Sequence, residues 1–88
     1  MMFKDALEEA KKGKRIARDG WSVTGTFAYY VHEALIHPET TNVPALQGLT
    51  HPVKVVAHLD MFTSQGEIEV GWRVVGSDLH SNDWRVVK

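Results

Sequence analysis

The stretch Phe3-Lys4-Asp5-Ala6-Leu7-Glu8-Glu9-Ala10-Lys11-Lys12-Gly13-Lys14-Arg15-Ile16-Ala17-Arg18 decides how the chain folds. Phe3, Ala6, Leu7 and Ala10 recur at i, i+3, i+4 and i+7, which predicts a helix with one apolar stripe. Glu8 stands four residues before Lys12, in the favourable order for a surface ion pair. Gly13 fits the position just past the last helical turn, where glycine ends helices. Lys14 to Arg18 then reads as a short strand with Ile16 pointing inward. A helix that stops and runs directly into a strand must lay its stripe on a sheet.

Outward from there, Asp19-Gly20 is a turn signal and Thr26 to Val31 a second strand. Phe27, Tyr29 and Val31 share one face of it; Ala28 and Tyr30 share the other. Residues 32–52 lack a clean period and carry Pro38, Pro44, Gly48 and Pro52, so they read as a long loop with room for a helical turn. Val53 to Phe62 alternates as one strand, with Val53, Val55, Ala57, Leu59 and Met61 on one face. After the Ser64-Gln65-Gly66 turn, Ile68, Val70 and Trp72 face one way and Glu67, Glu69 and Arg73 the other. Ser77 to Asp83 reads as a turn or single helical turn with Ser77 as its N-cap, and Trp84 to Val87 as a final strand. The expected fold is α+β: a single domain over residues 1–88, with an N-terminal helix packed on a small antiparallel β-sheet of four or five strands.

A chain of 88 residues buries a modest share of its surface, and with no cysteine it has neither disulfides nor thiolate-held metals to supplement its core. Oligomerisation is the remaining common supplement. The formal net charge of −1 argues against DNA or RNA binding, which needs many cationic phosphate contacts. No apolar run reaches membrane-spanning length and the N-terminus has no signal-peptide core, so the expected location is cytoplasmic, with no membrane partner.

Catalytic and metal motifs find little support. His32-Glu33-Ala34-Leu35-Ile36-His37 approaches a zinc-protease helix motif, but its histidines stand at i, i+5, about 140° apart around a helix. His37 also precedes Pro38, which disfavours helix there. There is no Gly-x-Ser-x-Gly element, and the glycines are too scattered to cradle phosphate. Asp78 and Asp83 are a weak acid–base pair, and Glu67 with Glu69 reads as a solvated strand face. No catalytic residue, metal or cofactor is expected.

The aromatic and polar residues are more informative. Trp21, Trp72 and Trp84 can each stack on a base or fill the core. Trp84, among Val86 and Val87, is the expected core ring; Trp21 and Trp72 stand at strand ends, where sites are built. Arg18 can fork onto a phosphate or pair with Asp19 or another acid. Asp78 can accept from hydroxyls or cap a helical turn, and Ser77 can donate to phosphate.

Taken together, the blocks Phe3, Ala6-Leu7, Gly13-Lys14-Arg15-Ile16-Ala17-Arg18-Asp19-Gly20-Trp21, Met61-Phe62-Thr63, and Trp72 with Asp78-Leu79 and Asp83-Trp84 resemble the small phage-encoded proteins related to the second Thoeris anti-defence protein. Residues 31–58 and His80-Ser81-Asn82 depart from that family's pattern. The resemblance implies a binding protein and not an enzyme. Such proteins capture a cyclic ADP-ribose isomer made by a TIR-domain sensor, or in some cases cyclic dinucleotides, and hold it intact in the cytoplasm of the infected bacterial host. It further implies a homo-oligomer, a tetramer, with sites between subunits. By position it assigns Phe3, Arg18, Trp21, Trp72, Ser77 and Asp78 to the ligand site. Trp21 or Trp72 would stack on adenine, Arg18 would meet pyrophosphate and Asp78 would take ribose hydroxyls. A nucleotide-degrading enzyme and a protein-interaction module are the alternatives.

Overall fold

The computed structural model describes residues 1–88. Helix α1 spans Phe3–Lys11 and is followed by strands β1 (Arg15–Arg18), β2 (Phe27–Val31) and β3 (Ala34–Ile36). A 3-10 turn at Pro44–Leu46 precedes β4 (Val53–Val55), β5 (His58–Phe62) and β6 (Ile68–Trp72). Helix α2 (Gly76–His80) and β7 (Trp84–Val87) close the chain. Five strands form one antiparallel sheet in the order β6-β5-β2-β1-β7, and β3 with β4 forms a separate two-stranded ribbon. The α+β class and the helix-on-sheet arrangement are as the periodicities predict.

The apolar stripe of α1 does what its spacing requires. Ala6 and Ala10 are fully buried, with Phe3 packed beside them, against Ile16, Ala28 and Trp84 on the facing strands. Three alanines at this contact keep helix and sheet close, and the large side chains Ile16 and Trp84 fill the space between. Each such large side chain contributes about 1.5–3 kcal/mol by leaving water. The helix ends as Gly13 predicts, with the Gly13 N–H donating to the Ala10 carbonyl at 2.9 Å. The expected Glu8–Lys12 pair does not form: Glu8 meets Lys11 at 3.6 Å, and Glu9 takes Lys12 at 3.5 Å and Lys14 at 3.1 Å. Glu9 wins because the turn after α1 brings Lys14 to it as well, and its hydrogen bond from Lys14 holds its carboxyl below the usual range.

Beyond that ion pair, further expectations give way, three of them in the course of the chain. The 32–52 segment is not all loop: Ala34–Ile36 pairs with Val53–Val55, and the extended backbone between His32 and His37 rules out a helical histidine motif. The strand predicted over Val53–Phe62 breaks at Val56 and Ala57, because its first half belongs to the ribbon and its second to the main sheet. Ser77 is not an N-cap; Val75 holds that position without a side-chain cap, and Ser77 lies inside α2.

A fourth concerns β6. Phe62 pairs with Ile68 and Met61 with Glu69, but Leu59 pairs with Trp72, so β6 carries one extra residue opposite Asp60. This is a β-bulge, and it reverses the alternation beyond it. Ile68 and Val70 therefore face away from α1 and stand 54% and 75% exposed, while Trp72 turns to the helix side and packs on the core. Gly71, in the bulge, has φ of +75°, a conformation that costs a residue with a Cβ about 1–2 kcal/mol.

Candidate functional site

The site is built where the C-terminal end of β1, the turn after it, the end of β6 and α2 converge. Arg18 lies opposite Trp84 in the β1–β7 pairing, so its side chain emerges on the same face as α1. Its guanidinium holds two carboxylates. Nη1 donates to Asp78 Oδ1 at 2.6 Å, and Nε donates to Asp83 Oδ1 at 2.8 Å. Arg18 and Asp78 are 15% and 13% exposed in their side chains, so both charges stay largely out of water and need each other. The hydrogen bonds Arg18 donates to Asp83 and then to Asp78 push its pKa up; the Arg18 hydrogen bond, followed by the Gly20 N–H, holds the Asp83 carboxyl below the usual aspartate range.

The turn after β1 is shaped by the same acid. The Gly20 N–H donates to Asp83 Oδ2 at 2.7 Å. A Cβ at residue 20 would lie 2.8 Å from that oxygen and 2.9 Å from Arg18 Nη2, so a side chain there would make the fork or the turn shift. The turn delivers Trp21, whose Nε1–H donates to Asp78 Oδ1 at 3.1 Å. Trp84 Nε1–H donates to the Asp78 backbone carbonyl at 2.8 Å. Asp78 thus fixes two indole rings and one guanidinium at once.

The three tryptophans form one cluster with edge-on contacts: Trp21–Trp72 at 5.9 Å, Trp21–Trp84 at 5.3 Å and Trp72–Trp84 at 6.5 Å between centroids. Trp84 is buried at its centre, as its place among valines predicts, and Trp21 and Trp72 are half-buried around it. Beside them opens a cleft of about 450 Å³. That is inside the range of roughly 300–1,000 Å³ usual for small-molecule sites.

Five of the six site residues read from the sequence line this cleft: Arg18, Trp21, Trp72, Ser77 and Asp78. Phe3 is not part of its lining. It packs against Trp84, 5.2 Å between centroids and tilted by 58°, and supports the cluster from the core side. Arg18 is not paired with Asp19, which instead accepts from Arg85 at 2.6 Å. Nor is Arg18 a free cation, since three of its five N–H groups are engaged by carboxylates. The sequence does not mark Ser22, Val23, Thr26 or Met61 as lining residues. Met61 is legible in hindsight as the strand residue alternating with Asp60 toward the cleft; Thr26 carries no signal beyond its place at the start of a strand. No group of three or more His, Cys, Asp or Glu side chains converges to hold a metal.

The combination of an Arg–Asp–Asp knot, a glycine held against it and a tryptophan cluster joins the two ends of the chain into one unit. No curated protein matches the chain. The family model of the Tad2-like, Thoeris anti-defense 2-like domain matches residues 1–87. The chain belongs to the Thoeris anti-defense 2-like domain family.

Proposed function

We propose that this anti-defence domain captures a cyclic nucleotide signal of the cyclic ADP-ribose class in the cleft beside Trp21 and Trp72 and holds it without cleaving it. The observation that carries the proposal is the cleft lining, which sets two half-buried indoles beside Arg18, Ser77 and Asp78. An adenine stacks on an indole face, a contact of roughly 1–3 kcal/mol. Asp78 accepts its protein hydrogen bonds through Oδ1, leaving Oδ2 for ribose hydroxyls. The N–H groups of Arg18 not bound by Asp78 or Asp83, with the Ser77 hydroxyl, meet the pyrophosphate. A binding role in preference to an enzymatic one is supported by the charged groups themselves: Arg18 and Asp78 are tied to each other, and none of the five histidines lines the cleft. Cyclic dinucleotides share the bases and phosphodiesters that this lining suits, and belong in the same ligand panel.

The protein acts as a homo-oligomer, a tetramer, in the cytoplasm of the infected host. Supporting self-association, only 8 of 88 residues are buried within one chain. The sheet face away from α1 carries the Phe27–Phe62 stack, 5.0 Å between centroids, without a helix over it.

The test is to load the protein with a cyclic ADP-ribose isomer, remove unbound ligand and release the remainder by heat. Intact ligand in fixed proportion to subunits is expected. Cleaved ligand, turned over beyond the amount of protein, would establish an enzyme instead. Absence of any nucleotide, with a host protein retained, would favour an interaction module.

A further inference from the structure

Asp60 is 6% exposed in the middle of β5, on the sheet face opposite the cleft. A carboxylate buried there is costly unless it is fully engaged. It is engaged by the Tyr29 hydroxyl, directly across on β2, and at two irregular points of the sheet. Its Oδ1 accepts from the N–H of Gly71, the left-handed residue of the β6 bulge, at 3.0 Å. The same oxygen lies 3.2 Å from His58 Nε2, and the other ring nitrogen of His58 is 2.8 Å from the carbonyl of Val56, at the break between β4 and β5. Asp60 thus holds the bulge directly, and His58 stands between it and the break.

The bulge decides which face Trp72 occupies. Strict alternation from Ile68 and Val70 would put Trp72 on the Asp60 face, away from Trp21. The extra residue puts it opposite Leu59 instead, on the face that Tyr30 and the helix share. We infer that Asp60 is a positioning residue for the cleft: by holding the Gly71 N–H it fixes the bulge that delivers Trp72 to the tryptophan cluster. It touches no ligand, and nothing in its sequence neighbourhood marks it. Its effect on affinity rests on the capture proposal; its effect on Trp72 does not.

The experiment uses the full chain without ligand and follows the indole N–H resonances of Trp72 and Trp84, assigned with Trp72→Phe. Asp60→Leu removes the acceptor, whereas Asp60→Asn keeps a side-chain oxygen for the Gly71 N–H. Gly71→Ala adds a methyl with no atom within 4 Å, so it acts on the backbone conformation alone. Asp60→Leu and Gly71→Ala are expected to move the Trp72 resonance and leave Trp84 in place; Asp60→Asn is expected to leave both. An unmoved Trp72 in folded Asp60→Leu, or Trp84 moving as far as Trp72, overturns the inference. If Asp60→Leu does not fold, the smaller Asp60→Ala, which also lacks the acceptor, decides by the same resonances. Where the wild type captures a cyclic nucleotide, the variants that displace Trp72 should weaken it roughly 5- to 150-fold, the loss of one stacked base. A wild type that binds no nucleotide sinks the capture proposal while the Trp72 spectra still judge Asp60.

Discussion

Arg18 and Asp83 meet in a two-bond fork across 65 residues of chain: Nε donates to Oδ1 at 2.8 Å and Nη2 to Oδ2 at 3.4 Å. Because the same guanidinium also holds Asp78, one side chain ties the end of β1 to α2 and to the start of β7. The cleft wall is therefore set by charge pairing before any ligand arrives, which is how a small domain can present a preformed site.

Acid should loosen this knot. The Arg18 hydrogen bond depresses the Asp83 pKa in the folded chain. A depressed carboxyl contributes stability that is present above its unfolded value, roughly 4, and is lost as pH falls through the folded value. Thermal melts across that window should show wild type losing stability as pH falls. Asp83→Asn should start lower and lose less over the same range.

Gly20→Ala should destabilise by about 1–3 kcal/mol, the usual cost of forcing atoms into an occupied space. The added Cβ falls 2.8 Å from Asp83 Oδ2, so either the fork or the turn must shift. Denaturant unfolding measures the loss, and displacement of Trp21 should appear as a change in near-ultraviolet circular dichroism.

The tryptophans should separate by role. Trp84→Ala removes the fully buried ring and should cost about 3–5 kcal/mol, a large part of the stability of so small a domain. Trp21→Ala, at a half-buried ring on the cleft wall, should cost less stability and more affinity. Paired denaturation and binding measurements on both variants check the split.

Where the fold was legible, a local period carried it. The stripe from Phe3 to Ala10, the stop at Gly13 and the inward Ile16 all follow from spacing within one element. The break at Val56 and Ala57 was not legible, because apolar alternation continues through it; only the pairing partner changes, from β3 to β2. The bulge was equally hidden. Gly71 within a strand is its one cue; unbroken alternation places Trp72 on the face of Ile68 and Val70. The candidate site divides the same way. Strand-end tryptophans and the acids near α2 stand out in the chain, but the choice of Arg18 among Asp19, Asp78 and Asp83 is made by tertiary approach. Phe3 packs on Trp84 outside the cleft lining, a placement that its sequence position does not reveal.

The ribbon of β3 and β4 should be the least protected paired region. It has three residues per strand and stands apart from the main sheet. Two short strands alone are marginal in water. Amide hydrogen exchange should be fast at Leu35 and Lys54 and slow at Ile16 and Ala28, the latter pair inside the core. Comparable protection of both regions would mean that the ribbon is covered by another subunit in solution.

Ligand-induced thermal stabilisation tests the central claim most directly. A cyclic ADP-ribose isomer at saturating concentration should raise the melting temperature of the wild type by several degrees, since ligand at about 100 times its dissociation constant adds roughly 2.7 kcal/mol. AMP should not raise it, and folded Trp21→Ala should lose most of the shift. No shift with any cyclic nucleotide in the panel, or an equal shift in Trp21→Ala, would contradict capture in the tryptophan-walled cleft.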